Sequence, residues 1–217
     1  MSARYTLVVG SKNYSTWSLR PWLAMKMAKL PFEEITIPLY QPETKGLIKD
    51  HSPAGKVPIL KIEENGTAFT VWDSLAICET LAERHPHAHL WPDDPSARAE
   101  ARSIVAEMHS GFADLRKTLT MDIANRYPTP ELDEAVQSQI ARIVSVWESA
   151  LKRFGKEGGF LFGRFTLADC FFAPVVTRFE TYAIHLPPQA QAYSQRILAL
   201  APMQEWIASA RAESPKA

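Results

Sequence analysis

Three short segments of this chain hold side chains that could do chemistry together. The first, Gly10-Ser11-Lys12-Asn13-Tyr14-Ser15-Thr16, crowds hydroxyls between an apolar stretch and a helical pattern. Such a loop offers free backbone N–H groups and the positive end of a helix dipole, which favour an anion. A hydroxyl there, Ser15 above all, can donate to a thiolate. The competing reading is that Ser15 or Thr16 only caps the helix. Tyr14, with its more acidic phenol, is the rival donor. The second segment runs from His51 to Leu60 around Lys56-Val57-Pro58. Isolated statistics favour a trans proline at a strand start, since only about 5–6% of X–Pro bonds are cis. Were Pro58 cis, the Val57 backbone could pair with a peptide-like ligand in the manner of strand addition. The third is Trp72-Asp73-Ser74. Asp73 or Ser74 caps a helix well, and the same groups could hold an amino acid end: the Ser74 hydroxyl and first-turn amides its carboxylate, Asp73 its ammonium.

The elements that must position these segments are legible in the hydrophobic pattern. Residues 5–9 favour a strand, and residues 16–29 carry Leu19, Trp22, Leu23 and Met27 at helical spacing. A second strand is predicted over 34–39, giving a βαβ unit with a parallel pair. Residues 57–62 and 68–71 flank Asn65-Gly66 as a hairpin, and a helix follows from Asp73 to about residue 84. Residues 86–95, with three prolines and alternate histidines, read as a connector without the fixed geometry that a metal site requires. Beyond it the pattern is helical: 96–125 with Ser96 as its cap, 130–154, 166–183, 189–200 and 202–212. The fold class is α/β plus all-α, with domains at 1–85 and 96–217 joined by the 86–95 linker.

Composition narrows the function. At 217 residues and 46% hydrophobic, the chain can bury a substantial core. Lysine plus arginine equals aspartate plus glutamate at 24 each, without a basic cluster, so no nucleic acid partner is expected. The apolar run near the start is too short for a signal segment or membrane span, so a cytoplasmic protein is expected. Cys78 and Cys170 each fall within apolar helical patterns and read as buried free thiols. The first loop lacks Cys-x-x-C, which disfavours a thioredoxin-type oxidoreductase.

Taken together, the loop serine, Gly55-Lys56-Val57-Pro58-Ile59-Leu60 and Asp73-Ser74 resemble, in this order, the glutathione site of the cytosolic glutathione transferases. Ser15-Thr16-Trp17-Ser18-Leu19-Arg20-Pro21-Trp22 is similar to the serine-type segment of zeta-like members, with Ser15 at the activating serine and Arg20 at an arginine five residues later. Trp17 stands where those enzymes carry a cysteine, and Trp22 where a second arginine often lies. Phe162 to Asp169 resembles the family's capping box and hydrophobic staple, a structural motif that sets Thr166 against Asp169.

The resemblance implies an N-terminal thioredoxin-like domain that binds glutathione as co-substrate without a metal, an all-helical domain, and a homodimer. It implies a cis Val57-Pro58 bond, with Val57 pairing the cysteinyl part, Asp73 and Ser74 holding the γ-glutamyl end, and Lys56 as a further contact. Ser15 would stabilise the thiolate for attack on a small hydrophobic electrophile. Tyr14, Met108 and Phe112, the last two on one helical stripe with Leu115, would line that electrophile's pocket; core packing is the stripe's other reading. Peroxide reduction, isomerisation, or glutathione binding without turnover are the alternatives.

Overall fold

In the computed structural model, which describes residues 3–155 and 158–213, the first half follows the expected order: β1 (Arg4–Gly10), α1 (Thr16–Met27), β2 (Glu33–Ile37), a short α2 (Thr44–Lys49), β3 (Ile59–Glu64), β4 (Thr67–Trp72) and α3 (Ser74–Arg84). The strands lie in the order β2-β1-β3-β4. β1 and β2 are parallel, with α1 as the crossover that a parallel pair requires; β3 is antiparallel to both β1 and β4. The β3–β4 turn is fixed by Asn65 at φ 51° and Gly66 at φ 78°, the left-handed pair that a two-residue hairpin demands. Side chains alternate across β1: Tyr5, Leu7 and Val9 enter the main core with Leu19, Leu23 and Ile77, whereas Val8 joins Ile37, Ile48 and Ile59 on the other face.

The elements that follow are helices: α4 (Pro95–Ser110), α5 (Ala113–Thr118), α6 (Glu134–Phe154), α7 (Leu167–Thr181), α8 (Pro188–Leu198) and α9 (Ala201–Ala212). Three differ from the sequence-based expectation. Asp94, not Ser96, caps α4: its Oδ1 accepts the Ala97 amide at 2.8 Å, and Ser96 spends its hydroxyl on the same carboxylate. The helix expected over 96–125 breaks at Gly111, and Phe112 takes φ 62°. Leu115, Leu119, Met121 and Ile123 stay buried beyond the break, so apolar periodicity continued where the helix did not. α6 starts at Glu134, where the Asp133 carboxylate accepts the Val136 amide at 2.8 Å.

α7 is the spine of the helical half and packs against α1 and α4. Its start carries the expected capping box, in which the Thr166 amide donates to Asp169 Oδ2 at 2.8 Å and the Thr166 side chain accepts the Asp169 amide. Asp169 also accepts from the Leu161 amide and the Tyr193 hydroxyl, so this buried carboxylate ties the preceding turn and α8 to α7. The histidines here go separate ways: His85, at the end of α3, meets the Tyr5 hydroxyl at 2.8 Å, and His89 in the connector meets Asp93 at 2.9 Å.

Candidate glutathione-binding site

At Gly10, where β1 ends, a Cβ would lie 2.8 Å from Leu39 and 2.9 Å from Val57, so only glycine fits. This close approach brings loop 11–15 beside the Val57-Pro58 corner, whose peptide bond is cis as expected. A cleft of about 660 Å³ opens at the corner, walled by Trp17, Lys56, Val57, Pro58, Trp72, Asp73 and Ser74. Four of the anticipated site residues, Lys56, Val57, Asp73 and Ser74, are thereby brought together. Ser74 is buried, and among the described residues its hydroxyl has no hydrogen-bond partner. Asp73 caps α3, its Oδ1 accepting the Leu75 amide at 2.8 Å, with φ at 25°.

Ser15 is 5% exposed and is not among the residues that wall the cleft. Its hydroxyl is 2.7 Å from that of Ser18, whose oxygen accepts the Gly10 amide at 3.0 Å. Ser15 also caps α1 by accepting the Ser18 amide at 3.4 Å, so the capping and hydroxyl-donor readings share one side chain. The loop amides differ from expectation. The Glu213 carboxylate accepts from the Asn13 amide at 3.0 Å and from that of Lys12, so these two donors are already spent on a residue two hundred positions away.

The expected electrophile pocket is also corrected. Met108 is buried in the core, its sulfur 3.6 Å from the Arg116 guanidinium. Phe112 is buried at the α4–α5 break, and Tyr14 stacks edge-on against Tyr40 with centroids 5.6 Å apart. None of the three walls the cleft. The stripe's spacing was right for a buried face, but that face meets α7 instead of the opening.

Sequence reasoning gave no role to Trp17 or His109 at the site. Trp17 walls the cleft and carries the buried Arg20 guanidinium 4.3 Å from its ring centroid, with Phe171 at 4.5 Å from the same group. Arg20 Nη1 lies 3.4 Å from His109 Nδ1, and His109 Nε2 lies 3.4 Å from Asp73 Oδ1. Burial pulls the Arg20 pKa well below its ordinary value, and the charge of Arg116 adds to this. Burial likewise lowers His109, opposed by Asp73 and assisted by Arg20 and Arg116. An arginine five residues after the loop serine, inside an otherwise apolar helix, was the available signal. Its histidine partner, from a distant helix, had none.

Other features lie apart from this cleft. A larger groove, about 1040 Å³, runs along α6 beside residues 183–189 and shares no wall with it. Cys78 and Cys170 are buried free thiols. Among the described residues, no helix is long and apolar enough to cross a membrane, and no group of three or more potential ligands could hold a metal ion.

Comparison with known proteins gives matches in both halves of the chain. Residues 14–84 match the family described as "Glutathione S-transferase, N-terminal domain" and residues 129–208 the one described as "Glutathione S-transferase, C-terminal domain". The chain is similar to the probable maleylacetoacetate isomerase of Caenorhabditis elegans, 29% identical over 180 residues that cover 81% of each protein. It is 27% identical to the maleylacetoacetate isomerase of Pseudomonas aeruginosa over 180 residues, 79% of this chain and 81% of the relative. Among solved structures, the maleylacetoacetate isomerase of Anaeromyxobacter dehalogenans with bound GSH superposes at a TM-score of 0.71, with 26% identity and 99% of each chain covered. A Burkholderia glutathione transferase homolog with bound glutathione gives 0.70 and 26%, covering 96% of this chain and 98% of that one.

Proposed function

Because this chain belongs to the glutathione transferase family, we propose that it binds glutathione in the cleft at the Val57-Pro58 corner and adds the thiolate to a small apolar electrophile. The observation that carries this reading is the convergence of the Val57 backbone, the Asp73 carboxylate and the unpartnered Ser74 hydroxyl on one cleft. Val57 pairs the cysteinyl amide, Ser74 and the first amides of α3 take the γ-glutamyl carboxylate, and Asp73 takes its ammonium. Lys56 supplies a further contact at the exposed rim. Trp17 and Trp72 replace Met108 and Phe112 as the apolar wall for the electrophile.

Ser15 stabilises the thiolate as a hydrogen-bond donor, never as the nucleophile. A free thiol has a pKa near ~8.5, and lowering it by about two units requires roughly 2.7 kcal/mol. A hydroxyl bond to an ion supplies about 1.5–3 kcal/mol and a helix N-terminus about 0.3–1. With the Lys12 and Asn13 amides held by Glu213, that demand falls mainly on Ser15. Hydroxyl hydrogens rotate. In the structure the Ser15 hydroxyl donates to Ser18 Oγ, which also accepts the Gly10 amide; turning the Ser15 proton to sulfur gives up that bond, and Ser18 then donates to Ser15 Oγ in its place, polarising it.

A second reading, glutathione-dependent isomerisation, is favoured by the relatives named maleylacetoacetate isomerase. In it the thiolate adds to a conjugated double bond, the resulting single bond rotates, and elimination returns the thiolate. Parallel assays of conjugation to 1-chloro-2,4-dinitrobenzene and of maleylacetoacetate isomerisation separate the readings. Glutathione binding with neither activity would leave a binding protein. We take the working form as a cytoplasmic homodimer, supported by edge strand β4, which exposes Phe69 and Trp72; sedimentation velocity measures the mass.

A further inference from the structure

Asp73 sits in a conformation that an L-residue rarely adopts, and one of its carboxylate oxygens is held from two sides. With φ at 25°, its backbone lies in the left-handed half of the map, which surrounding contacts must sustain. Oδ1 accepts the Leu75 amide at 2.8 Å and faces His109 Nε2 at 3.4 Å. The first contact is local to α3. The second comes from the last turn of α4, in the other half of the molecule.

The proton inventory gives that second contact a direction. Arginine only donates, so His109 Nδ1, 3.4 Å from Arg20 Nη1, is the accepting nitrogen. A neutral imidazole that accepts at Nδ1 carries its proton on Nε2, the atom facing Asp73. Arg20 is fully buried, and among the described residues its Nε and Nη2 have no hydrogen-bond partner, whereas its Nη1 faces the imidazole. Trp17 at 5.2 Å and Phe171 at 6.2 Å, centroid to centroid, hold the ring between them.

We infer that His109 is a positioning residue for glutathione, the middle of an Arg20–His109–Asp73 chain that runs from a buried guanidinium to the exposed cleft edge, fixes Oδ1 of Asp73 and leaves Oδ2 to the γ-glutamyl ammonium. The inference rests on the glutathione reading above and extends it across the domain boundary. The charged and titratable groups around the imidazole are Arg20 on α1, Asp73 at the cap of α3 and Arg116 on α5; Arg178 on α7 and Cys78 on α3 act on Arg20. Burial and the two nearer arginines keep His109 neutral near pH 7. Acid puts a second proton on the imidazole. Nδ1 then faces Arg20 as like charge, and the imidazolium competes with the ammonium of glutathione for Asp73.

The test is calorimetric titration of the full-length protein with glutathione at pH 7.5 and 5.5. The wild type is compared with His109→Gln, whose amide can accept from Arg20 and donate to Asp73, and with His109→Leu, which fills the space and does neither. Expected at pH 7.5 are affinity within about threefold of wild type for the glutamine variant and a loss of about tenfold for leucine, the size of one charge-assisted bond. The wild type should weaken toward acid as His109 takes its second proton below the ordinary imidazole pKa, and the glutamine variant should not share that loss. Leucine binding as tightly as wild type, or glutamine as weak as leucine with an unchanged pH slope, overturns the inference while the glutathione reading stands. A wild type that binds no glutathione overturns that reading and the inference with it. Should His109→Leu fail to fold, the imidazole nitrogen shifts of the ligand-free wild type still decide: a proton on Nδ1 in place of Nε2 defeats the chain.

Discussion

At the level of single residues, the role proposed for Ser15 sets a sharp expectation. If the hydroxyl donates to bound thiolate, Ser15→Ala should raise the thiol's apparent pKa by about one to two units, matching a lost charged bond of about 1.5–3 kcal/mol. At pH 7 the conjugation rate then falls roughly ten- to a hundredfold and recovers partly in alkali, since more thiol ionises unaided. Ser18→Ala should give a smaller shift in the same direction, because Ser15 keeps its proton but loses the partner that polarises it. Tyr14→Phe should leave the profile in place; pH–rate profiles of all three variants check the assignment. Much of this site was legible. A serine before a helical run, Val-Pro at a strand start and Asp-Ser at a helix start are local signals, and α1, β3 and α3 begin beside them, although the cis Val57-Pro58 bond is the isomer that local statistics disfavour. Ser18 could have been added from its spacing, three residues on and one helical turn from Ser15. Glu213 and His109 could not, because each reaches the site from a distant part of the chain that no local pattern links to it.

Among the elements, two termini show how ends of helices support the site. At α7, Asp169 is fully buried, and burial pushes its pKa from 3.8 up to about 6 against the pull of donors from Thr166, Leu161 and Tyr193. A carboxyl whose folded pKa exceeds its unfolded value binds a proton more readily when folded. Its contribution to stability is therefore greatest below about pH 4 and is lost as pH rises through 6. Asp169→Asn should remove this component of the pH slope while lowering stability at pH 7, because an amide turns N–H groups toward donors that need an acceptor. Urea unfolding of both proteins between pH 4 and 7 checks slope and offset. Past the end of α9, Glu213 holds the Lys12 and Asn13 amides. Glu213→Ala should lower the melting temperature and raise KM for glutathione through a looser loop; unchanged values would show that water replaces the carboxylate without cost. The elements themselves were mostly readable from period and caps. The break at Gly111 was not, since buried apolar residues keep a helical rhythm on both sides of it.

For the whole molecule, the α/β and helical halves share one core, so the two-part plan read from the sequence does not imply two independent stabilities. Leu7, Leu19 and Leu23 of the first half belong to the same buried cluster as Val105, Phe171 and Trp206 of the second. Polar contacts cross the seam as well. Lys12 lies 5.3 Å from the ring centroids of both Trp22 and Trp206, and the Trp206 indole donates to the Lys12 carbonyl at 2.9 Å. Arg178 on α7 donates to Thr16 Oγ1 at 2.6 Å and to the Leu119 carbonyl. Burial pulls the Arg178 pKa down to about 10, with Arg116 adding to the effect, so the side chain remains charged at pH 7. Its desolvation cost is offset by those hydrogen bonds, and removing it leaves their acceptors buried and unpaired. Arg178→Met, close in shape but unable to donate, should therefore destabilise the protein by about 1–3 kcal/mol. For the wild type, thermal unfolding followed by tryptophan fluorescence and by far-ultraviolet circular dichroism should give coincident transitions, because neither half can expose its side of the cluster alone. If Arg178→Met instead left the midpoint unchanged, the guanidinium would be a tolerated cost at the seam and the apolar cluster alone would join the halves. Separate transitions in the wild type would refute the shared core itself.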